Sequence, residues 1–474
     1  MTSTSTKRLG LSDDGHHFVD EDGLPFFWLA DTAWELLHRL TADEVEHYFA
    51  VRRSQGFNVI QTVVLPEADG LRTPNALGQL PLAGDDPCRP NALYFRWVDR
   101  VVAMAAEMGL YVALLPTWGD KVHGGMWRAG PVVFDEHNAA VFGRFLGERY
   151  AKSANAIWLL GGDRPATGYQ AVWSAMATGL RAGYRAADIE PPLIGYHPNG
   201  GRGSAEELHD ADWLSFNTIQ SGHVYTDPPG WKLVAQDRAR QPSKPILDSE
   251  PCYEEHPIDP FRRAWQPEMG RYRAVDVRAA AYRSVSSGAC GHTYGHHSVW
   301  QFWQPGREPA NHPTPAWQEA IHAEGAGQMT HLHQLMRSRD WPNLTPAPAV
   351  LPDIDAGSVA GFYTPDIESN EQATLRASVS MAMAGRRSGG SAGTVVAYVT
   401  AGTDSLTVDL PKVPAGWVGW WYDVRHGRSH SVREITIANG GRLTVPIPLG
   451  GLDWVIVFDE ADGDHAPPGC LFRS

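Results

Sequence analysis

Short apolar segments alternate with amphipathic helical patterns from residue 26 to about residue 330. This alternation constrains the fold more than any other feature, because it is typical of parallel strands joined by helices. The apolar segments number eight, at residues 26–31, 58–65, 111–116, 156–161, 193–197, 213–217, 245–248 and 289–294. An open dinucleotide-binding sheet would carry a G-x-G-x-x-G turn after its first strand, and residues 32–34 read TAW instead. The pattern therefore predicts the α/β class, as a (β/α)₈ TIM barrel.

The segments that flank the barrel predict two further β regions. Residues 1–25 contain an Asp-Gly turn signal at 22–23, and we expect them to form a β segment that caps the barrel. The catalytic barrel is predicted at 26–340, and a Pro-rich linker at 341–349. Residues 350–474 contain short strand patterns without helical ones, which predicts a small C-terminal β-sandwich. Its strands are expected at 394–400, 406–410, 416–422, 443–447 and 454–458.

Composition and charge exclude several classes of partner and location. The net charge of −14 argues against nucleic acid, which needs clustered basic residues. No run of eighteen apolar residues is present, so we expect no membrane span. The four cysteines are widely scattered and the N-terminus lacks an apolar signal segment, so we predict a cytoplasmic protein. An acidic chain with 18 tryptophans favours a carbohydrate substrate, and the sequence leaves a homo-oligomer open.

Polar and aromatic residues follow nearly every predicted strand. The active site of a (β/α)₈ barrel lies at the carboxyl ends of its strands, so these side chains are expected to share one pocket. Carboxylates, amides and histidines there would bind sugar hydroxyls, and tryptophans would stack on the sugar rings. The predicted substrate-binding residues are Asp31, Trp34, Glu67, Trp118, His197, Asn217, Tyr294, His296 and Trp300.

Two carboxylates stand out as catalytic candidates. Asp163 follows the fourth predicted strand after two glycines, and Glu250 follows the seventh. A retaining glycosidase places two such carboxyl groups about 5–5.5 Å apart, one as acid/base and one as nucleophile. Either carboxylate alone could instead cap a helix or form an ion pair at the barrel rim. Asp248, two residues before Glu250, competes for the role of nucleophile.

Three other functional classes share some of these sequence features. His292, His296 and His297 could contribute to a metal-dependent hydrolase, but no H-E-x-x-H or H-x-H pair supports a zinc site. A serine hydrolase would need a G-x-S-x-G elbow, which is missing from the sequence. A non-catalytic carbohydrate-binding protein would keep the barrel and lose the chemistry. We therefore predict a retaining glycoside hydrolase that acts by double displacement with two carboxylates, with no cofactor and no metal.

Four segments carry a resemblance to a known family. They are FFWLADTAWELL at 26–37, QGFNVI at 55–60, IWLLGGD at 157–163 and GHTYGHHSVW at 291–300. Together they resemble the apiosidase-like glycoside hydrolases (glycoside hydrolase family 140), and the likeness covers about residues 8–345. It extends to a C-terminal β-domain of the type labelled collagen-binding in that family.

The resemblance implies a barrel whose catalytic carboxylates end strands four and seven. These positions match Asp163 as acid/base and Glu250 as nucleophile. It further implies release of apiose-containing units from branched pectic glycans. That activity is extracytoplasmic in the family, whereas this chain shows no export signal, so a pectic oligosaccharide or a small glycoside is the expected substrate.

Overall fold

A computed structural model describes residues 6–125, 129–225, 228–260, 265–353, 380–386, 393–437, 441–448 and 452–470. The first strands are β1 (Leu9–Leu11), β2 (Phe18–Asp20) and β3 (Pro25–Phe26), which form an antiparallel sheet. Gly23 adopts a positive φ of 77° in the turn between β2 and β3, at the Asp-Gly signal.

The N-terminal sheet lies across one end of the barrel. The Phe18 ring lies 5.7 Å from the ring of Trp28 and 5.3 Å from that of Phe216. Phe26 packs on Tyr111, with ring centroids 5.0 Å apart. Trp28 and Tyr111 begin barrel strands, so this sheet covers the amino ends of the strands and leaves their carboxyl ends to the active site.

The barrel region contains the next group of strands. They are β4 (Trp28–Thr32), β5 (Val59–Val63), β6 (Leu82–Ala83), β7 (Asp86–Pro90), β8 (Tyr111–Leu115), β9 (Ala156–Gly161), β10 (Ile194–His197), β11 (Arg202–Gly203), β12 (Asn217–Gln220), β13 (Ile246–Asp248) and β14 (Gly291–Tyr294). β6 and β7 form a hairpin, and β11 pairs antiparallel with β12.

The parallel strands confirm the predicted TIM barrel. Hydrogen bonds join six of the described strands in the order β10-β9-β8-β5-β4-β14, and β12 pairs with β13. β12 also contacts β10, and β13 contacts β14, so these eight strands close into a ring. Their residues are buried on both faces, as parallel strands covered by helices require.

The sixth barrel strand lies later in the chain than predicted. The sequence pattern placed it at residues 213–217, whereas β12 spans Asn217–Gln220 and pairs Asn217 with Ile246 of β13. Trp213 and Phe216 are buried in the core before the strand begins. Their apolar character reflects burial and not strand pairing, so the predicted start of the sixth strand was wrong by about four residues. The carboxyl end of this strand is therefore Gln220, not Asn217.

Helices surround the barrel, and α2 begins with a capping box at Thr41 and Glu44. They are α1 (Leu36–Arg39), α2 (Ala42–Ser54), α3 (Ala92–Glu107), α4 (Glu136–Tyr150), α5 (Gln170–Ala186), α6 (Ala205–Leu208), α7 (Gly230–Arg238), α8 (Ala274–Ser286), α9 (His297–Trp300), α10 (Trp317–Ala320) and α11 (Glu324–Arg337). The Thr41 N–H donates to the Glu44 carboxylate at 2.8 Å at the start of α2. No helix in the described part of the chain is long and apolar enough to cross a membrane.

The C-terminal region is an antiparallel β-sandwich, as predicted. Its strands are β15 (Thr345–Pro346), β16 (Met381–Arg386), β17 (Gly393–Val399), β18 (Ser405–Leu410), β19 (Trp417–Asp423), β20 (Arg428–Ile437), β21 (Gly441–Pro446) and β22 (Trp454–Glu460). One sheet has the order β15-β16-β17-β22-β19-β20, and β18 pairs with β21 in the other. Val408 and Val445 of the smaller sheet pack with Ile456 and Phe458 of the larger one. The segment predicted as a linker contributes β15, which pairs with β16.

Buried ion pairs attach the sandwich to the barrel. Arg278 on α8 donates to both carboxylate oxygens of Asp453, at 3.0 and 2.8 Å. Arg339, after α11, does the same to Asp459 on β22, at 3.0 and 2.7 Å. Bidentate geometry makes these the strong form of charged hydrogen bond. The sandwich is therefore joined to the barrel by specific contacts and not only by the chain connection.

Candidate active site

A cavity of about 600 Å³ opens at the carboxyl ends of the barrel strands. Its walls come from residues that follow most of these strands and from the loops beyond them. They include Trp34, Glu35, Glu67, Trp118, Asp163, Gly200, Gln220, His223, Tyr225, Glu250, Tyr253, His256, Trp300 and Asn311. Carboxylates, histidines and tryptophans together make a concave polar site with aromatic walls, which suits a sugar.

The turn after β9 places Asp163 in the cavity wall. Gly161 and Gly162 adopt φ values of 86° and 124°, and Asp163 itself is left-handed at 56°. A Cβ on Gly161 would overlap the carbonyl oxygen of His197, and one on Gly162 would lie 2.8 Å from the Trp118 ring. The two glycines are therefore required for this sharp exit. A non-glycine residue in the left-handed region, such as Asp163, is uncommon and typical of functional sites.

Asp163 is held in conditions that favour its protonated form. Burial raises its pKa to about 6, and the negative charge of Glu250 adds to the effect. Arg164, His197 and a hydrogen bond from Gln220 act in the opposite direction. The Arg164 guanidinium lies 3.7 Å from Oδ2 of Asp163, and the Gln220 amide donates to Oδ1 at 3.2 Å. A carboxyl group with this pKa can donate a proton near neutral pH.

Glu250 is held in the ionised form by two histidines. Burial alone would raise its pKa, but the imidazoles of His197 and His223 outweigh burial and lower the pKa to about 2. Nε2 of His197 lies 3.1 Å from Oε2, and Nε2 of His223 lies 3.0 Å from Oε1 with hydrogen-bond geometry. An ionised carboxylate inside a substrate cavity can act as a nucleophile.

Aromatic residues complete the surroundings of Glu250. Trp34 donates from Nε1 to the Tyr253 hydroxyl at 3.2 Å. Tyr253 packs on His223 with ring centroids 4.5 Å apart, and His256 stacks on the same imidazole with ring centroids 4.0 Å apart. These contacts fix the orientation of the His223 ring, so the hydrogen bond to Glu250 is preorganised.

The structure brings five of the predicted binding residues to the site. Trp34, Glu67, Trp118 and Trp300 line the cavity. His197 is completely buried behind it, with its ring 5.3 Å from that of Trp34 and its Nε2 beside Glu250. It therefore positions a carboxylate, whereas the sequence predicted contact with a sugar hydroxyl.

The other four predicted binding residues are engaged elsewhere in the fold. Asp31 forms a buried ion pair with Arg52 at 2.5 Å. The other three form buried hydrogen bonds. The Asn217 amide lies 3.3 Å from Nδ1 of His209, and the Tyr294 hydroxyl donates to Glu254 at 2.6 Å. The His296 imidazole accepts a bond from the Ser298 N–H at 3.1 Å. None of the four is among the described residues that line the cavity. Each is buried and bonded to a neighbouring side chain or backbone group, so the structure does not bring these four predicted residues to the cavity wall.

Asp248 and the histidines after β14 are also occupied by internal hydrogen bonds. Asp248 is completely buried and accepts a 2.7 Å bond from the Ser221 hydroxyl. His297 contacts the carbonyl oxygen of Asn311 at 2.7 Å through Nε2. In the described ranges, no group of three or more histidine, cysteine, aspartate or glutamate side chains has an arrangement that could hold a metal ion.

Several cavity residues were not among the predicted site residues. Gln220 ends β12 and His223 lies three residues beyond it, whereas the sequence pattern placed the end of this strand at Asn217. Tyr253 and His256 lie in the loop after β13, and Asn311 lies in the segment after α9. The first two could have been identified from a correct end of the sixth strand. The residues in loops lie outside any periodic sequence pattern, so the sequence does not indicate which way their side chains point.

Several solved structures that are similar to this chain are glycoside hydrolases. A glycoside hydrolase family 5 crystal structure from Bacteroides vulgatus ATCC 8482 is 27% identical, with a TM-score of 0.81 over 98% of this chain and 95% of that one. A structure described as a glycoside hydrolase is 28% identical, with a TM-score of 0.80 over 98% and 99%. A third, from the same Bacteroides vulgatus strain and described as a putative glycoside hydrolase, shares the fold at 14% identity and a TM-score of 0.62 over 97% and 83%.

Comparison with protein-family models identifies the family of this chain. No curated protein matches the chain. The model of the apiosidase-like catalytic domain matches residues 12–343, which include both Asp163 and Glu250. With this match over most of the chain, and with a cavity that holds two carboxylates of opposite character, the protein belongs to the apiosidase-like family and is a glycoside hydrolase.

Proposed function

We propose that the protein cleaves a glycosidic bond with retention of configuration, using Asp163 as acid/base and Glu250 as nucleophile. One observation carries this assignment: the two carboxyl groups line one cavity, and their pKa values are moved in opposite directions, to about 6 and about 2. Paired groups whose pKa values are driven apart are the usual sign of an acid and a base with separate roles.

The first step forms a glycosyl–enzyme ester. A Glu250 carboxylate oxygen attacks the anomeric carbon, and the bond from that carbon to the leaving oxygen breaks. The leaving oxygen takes the proton of Asp163, so an alcohol departs and Asp163 becomes ionised. His197 and His223 keep Glu250 ionised before attack, because each lies within about 3.1 Å of one of its oxygens.

The second step returns the enzyme to its starting state. Ester formation removes the negative charge of Glu250, which is one of the causes of the raised pKa of Asp163. The pKa of Asp163 therefore falls, and the residue becomes the base that takes a proton from water. The resulting hydroxide attacks the anomeric carbon and releases Glu250 as a carboxylate.

We further propose an apiose-type glycoside from pectic side chains, or a small glycoside, as the substrate. The family match supports this sugar. Trp34, Trp118 and Trp300 provide the stacking walls, and Glu67 accepts hydrogen bonds from sugar hydroxyls. A screen of aryl glycosides and pectic side-chain oligosaccharides, with product identification, tests this part. The cytoplasmic location stays a prediction.

The catalytic assignment is tested by removing each carboxylate. Asp163→Asn and Glu250→Gln are expected to fold and to lose several orders of magnitude in turnover. Azide added to Glu250→Ala should restore activity and give a glycosyl azide of inverted configuration. Asp248→Ala serves as the matched control. Azide rescue of Asp248→Ala in place of Glu250→Ala would transfer the nucleophile role, and near wild-type turnover in either carboxamide variant would refute the assignment.

A further inference from the structure

Gln220 is the one neutral side chain bonded to the Asp163 carboxylate among the described residues. It ends β12, and its Nε2 donates to Oδ1 of Asp163 at 3.2 Å. Its backbone carbonyl accepts a 2.7 Å bond from the Gly201 N–H, so the residue is anchored to the loop that carries β11. Gln220 is 4% exposed and lines the cavity, so the amide is both fixed in place and open to a ligand.

The other half of the amide is unused by the protein. Oε1 of Gln220 is buried and has no hydrogen-bond partner among the described residues. A buried carbonyl oxygen without a donor is unfavourable, so such an atom in a binding cavity points to a ligand that supplies the donor. A sugar whose glycosidic oxygen lies at Asp163 carries hydroxyl groups that can provide this hydrogen bond.

We propose that Gln220 is a positioning residue that joins the proton donor to the bound sugar. Through Nε2 it orients Asp163 and limits the stability of its protonated form, and through Oε1 it accepts a hydrogen bond from a hydroxyl of the sugar at the cleavage site. This inference rests on the proposed role of Asp163 as acid/base.

A neutral amide suits this position better than a cation would. Asp163 also faces Glu250, Arg164 and His197, and burial with the charge of Glu250 raises its pKa, while Arg164 and His197 lower it. The Arg164 guanidinium also forms a hydrogen bond away from the Asp163 carboxylate, since its Nη1 donates to the backbone carbonyl of Asp163 at 2.8 Å. A lysine or arginine in place of Gln220 would stabilise the carboxylate strongly, and the residue would cease to be an acid near neutral pH.

Two variants separate the two functions of the amide. Gln220→Met keeps the length of the side chain but removes both the donor and the acceptor. Gln220→Glu keeps an acceptor for the sugar but replaces the donor with a like charge. Because the acid must be protonated, the alkaline limb of kcat/KM follows the pKa of Asp163. We expect this limb to move up by about 0.5–1 pH unit in the methionine variant and further in the glutamate variant. KM should rise more in Gln220→Met than in Gln220→Glu.

The experiment uses the full chain and an aryl glycoside that the wild type hydrolyses. Gln236→Met, on an exposed face of α7, is the matched control and should leave the pH profile unchanged. Circular dichroism and thermal melting establish that each variant is folded. An unmoved alkaline limb in both Gln220 variants would overturn the positioning role, and an unchanged KM in Gln220→Met would overturn the hydroxyl contact. Asp163→Asn, measured in parallel, separates this failure from that of the proposed function, since full activity there refutes the acid/base assignment itself.

Discussion

The glycine turn at the end of β9 gives the sharpest test of how the fold positions the proposed catalytic pair. Gly161 has a φ of 86°, and a Cβ there would overlap the backbone carbonyl oxygen of His197 and lie 3.0 Å from the Tyr196 ring. The same carbonyl accepts the Gly162 N–H at 3.0 Å. Since a carbonyl within a strand cannot rotate away as a flexible side chain can, Gly161→Ala must shift β9 relative to β10.

The expected loss of stability follows from three contributions. The left-handed backbone disfavours alanine by about 1 kcal/mol. Overpacking against the strand adds about 1–3 kcal/mol, and a weakened hydrogen bond adds about 1 kcal/mol. Gly161→Ala should therefore lower the free energy of unfolding by about 3–5 kcal/mol, as measured by urea denaturation. Gly168→Ala is the matched control: its φ is 84° and nothing lies within 4 Å of its Cβ, so only the backbone contribution of about 1 kcal/mol applies.

The same substitution should impair catalysis beyond its effect on folding. Gly161 lies two residues before Asp163, and the carbonyl that it would displace belongs to His197, which contacts Glu250. A misplacement of about 1 Å can reduce a rate by about 100-fold. We therefore expect a loss of this size in kcat at a temperature where Gly161→Ala is fully folded, and little loss in Gly168→Ala. Equal stability and activity in the two alanine variants would refute the reasoning from close packing.

Two further predictions concern the nucleophile and the interface between barrel and sandwich. His223→Phe removes a hydrogen bond to ionised Glu250, worth about 1.5–3 kcal/mol, so the pKa of Glu250 should rise by about 1–2 units. Because the nucleophile must be ionised, the acidic limb of kcat/KM should move to higher pH by that amount; an unmoved limb contradicts the role of His223. Arg278→Met leaves Asp453 buried without its cation and should lower the free energy of unfolding by about 3–5 kcal/mol in a thermal or urea melt. Arg149→Met, in a partly exposed pair, should lower it by less than about 1 kcal/mol, and equal losses would argue against a specific interface.

The barrel and the two candidate carboxylates could be identified from the sequence because both depend on local pattern. The apolar segment at 156–161 coincides with β9, and Gly161 at its end together with Gly162 marks a turn that only glycine tolerates. Asp163 and Glu250 were found in the same way, as the first carboxylates beyond the fourth and seventh strands. The rule that barrel strands end at one rim then brings them together without any knowledge of the three-dimensional contacts.

The direction in which each strand-end side chain points could not be predicted from the sequence pattern. Tyr294 ends β14 and Asp31 is the last residue but one of β4, but both face buried partners: Asp31 pairs with Arg52, and Tyr294 donates to Glu254. Whether a strand-end side chain faces the cavity or the surrounding layer depends on strand tilt and on the helices packed behind it. The sequence pattern does not specify strand tilt or helix packing, and so it does not determine the direction of these side chains.

The sequence alone determined the alternation of strands and helices, the β-sandwich that follows, and the two carboxylates at the strand ends, because these follow from periodicity and from glycine geometry. Only the tertiary structure decided which chemistry each carboxylate can perform. Burial and the nearby charge of Glu250 raise the pKa of Asp163, while His197 and His223 lower that of Glu250. These effects come from residues on β10, after β12 and after β13, far apart in the chain. Electrostatic interactions depend on distance in space and on desolvation, and both exist only once the barrel has closed.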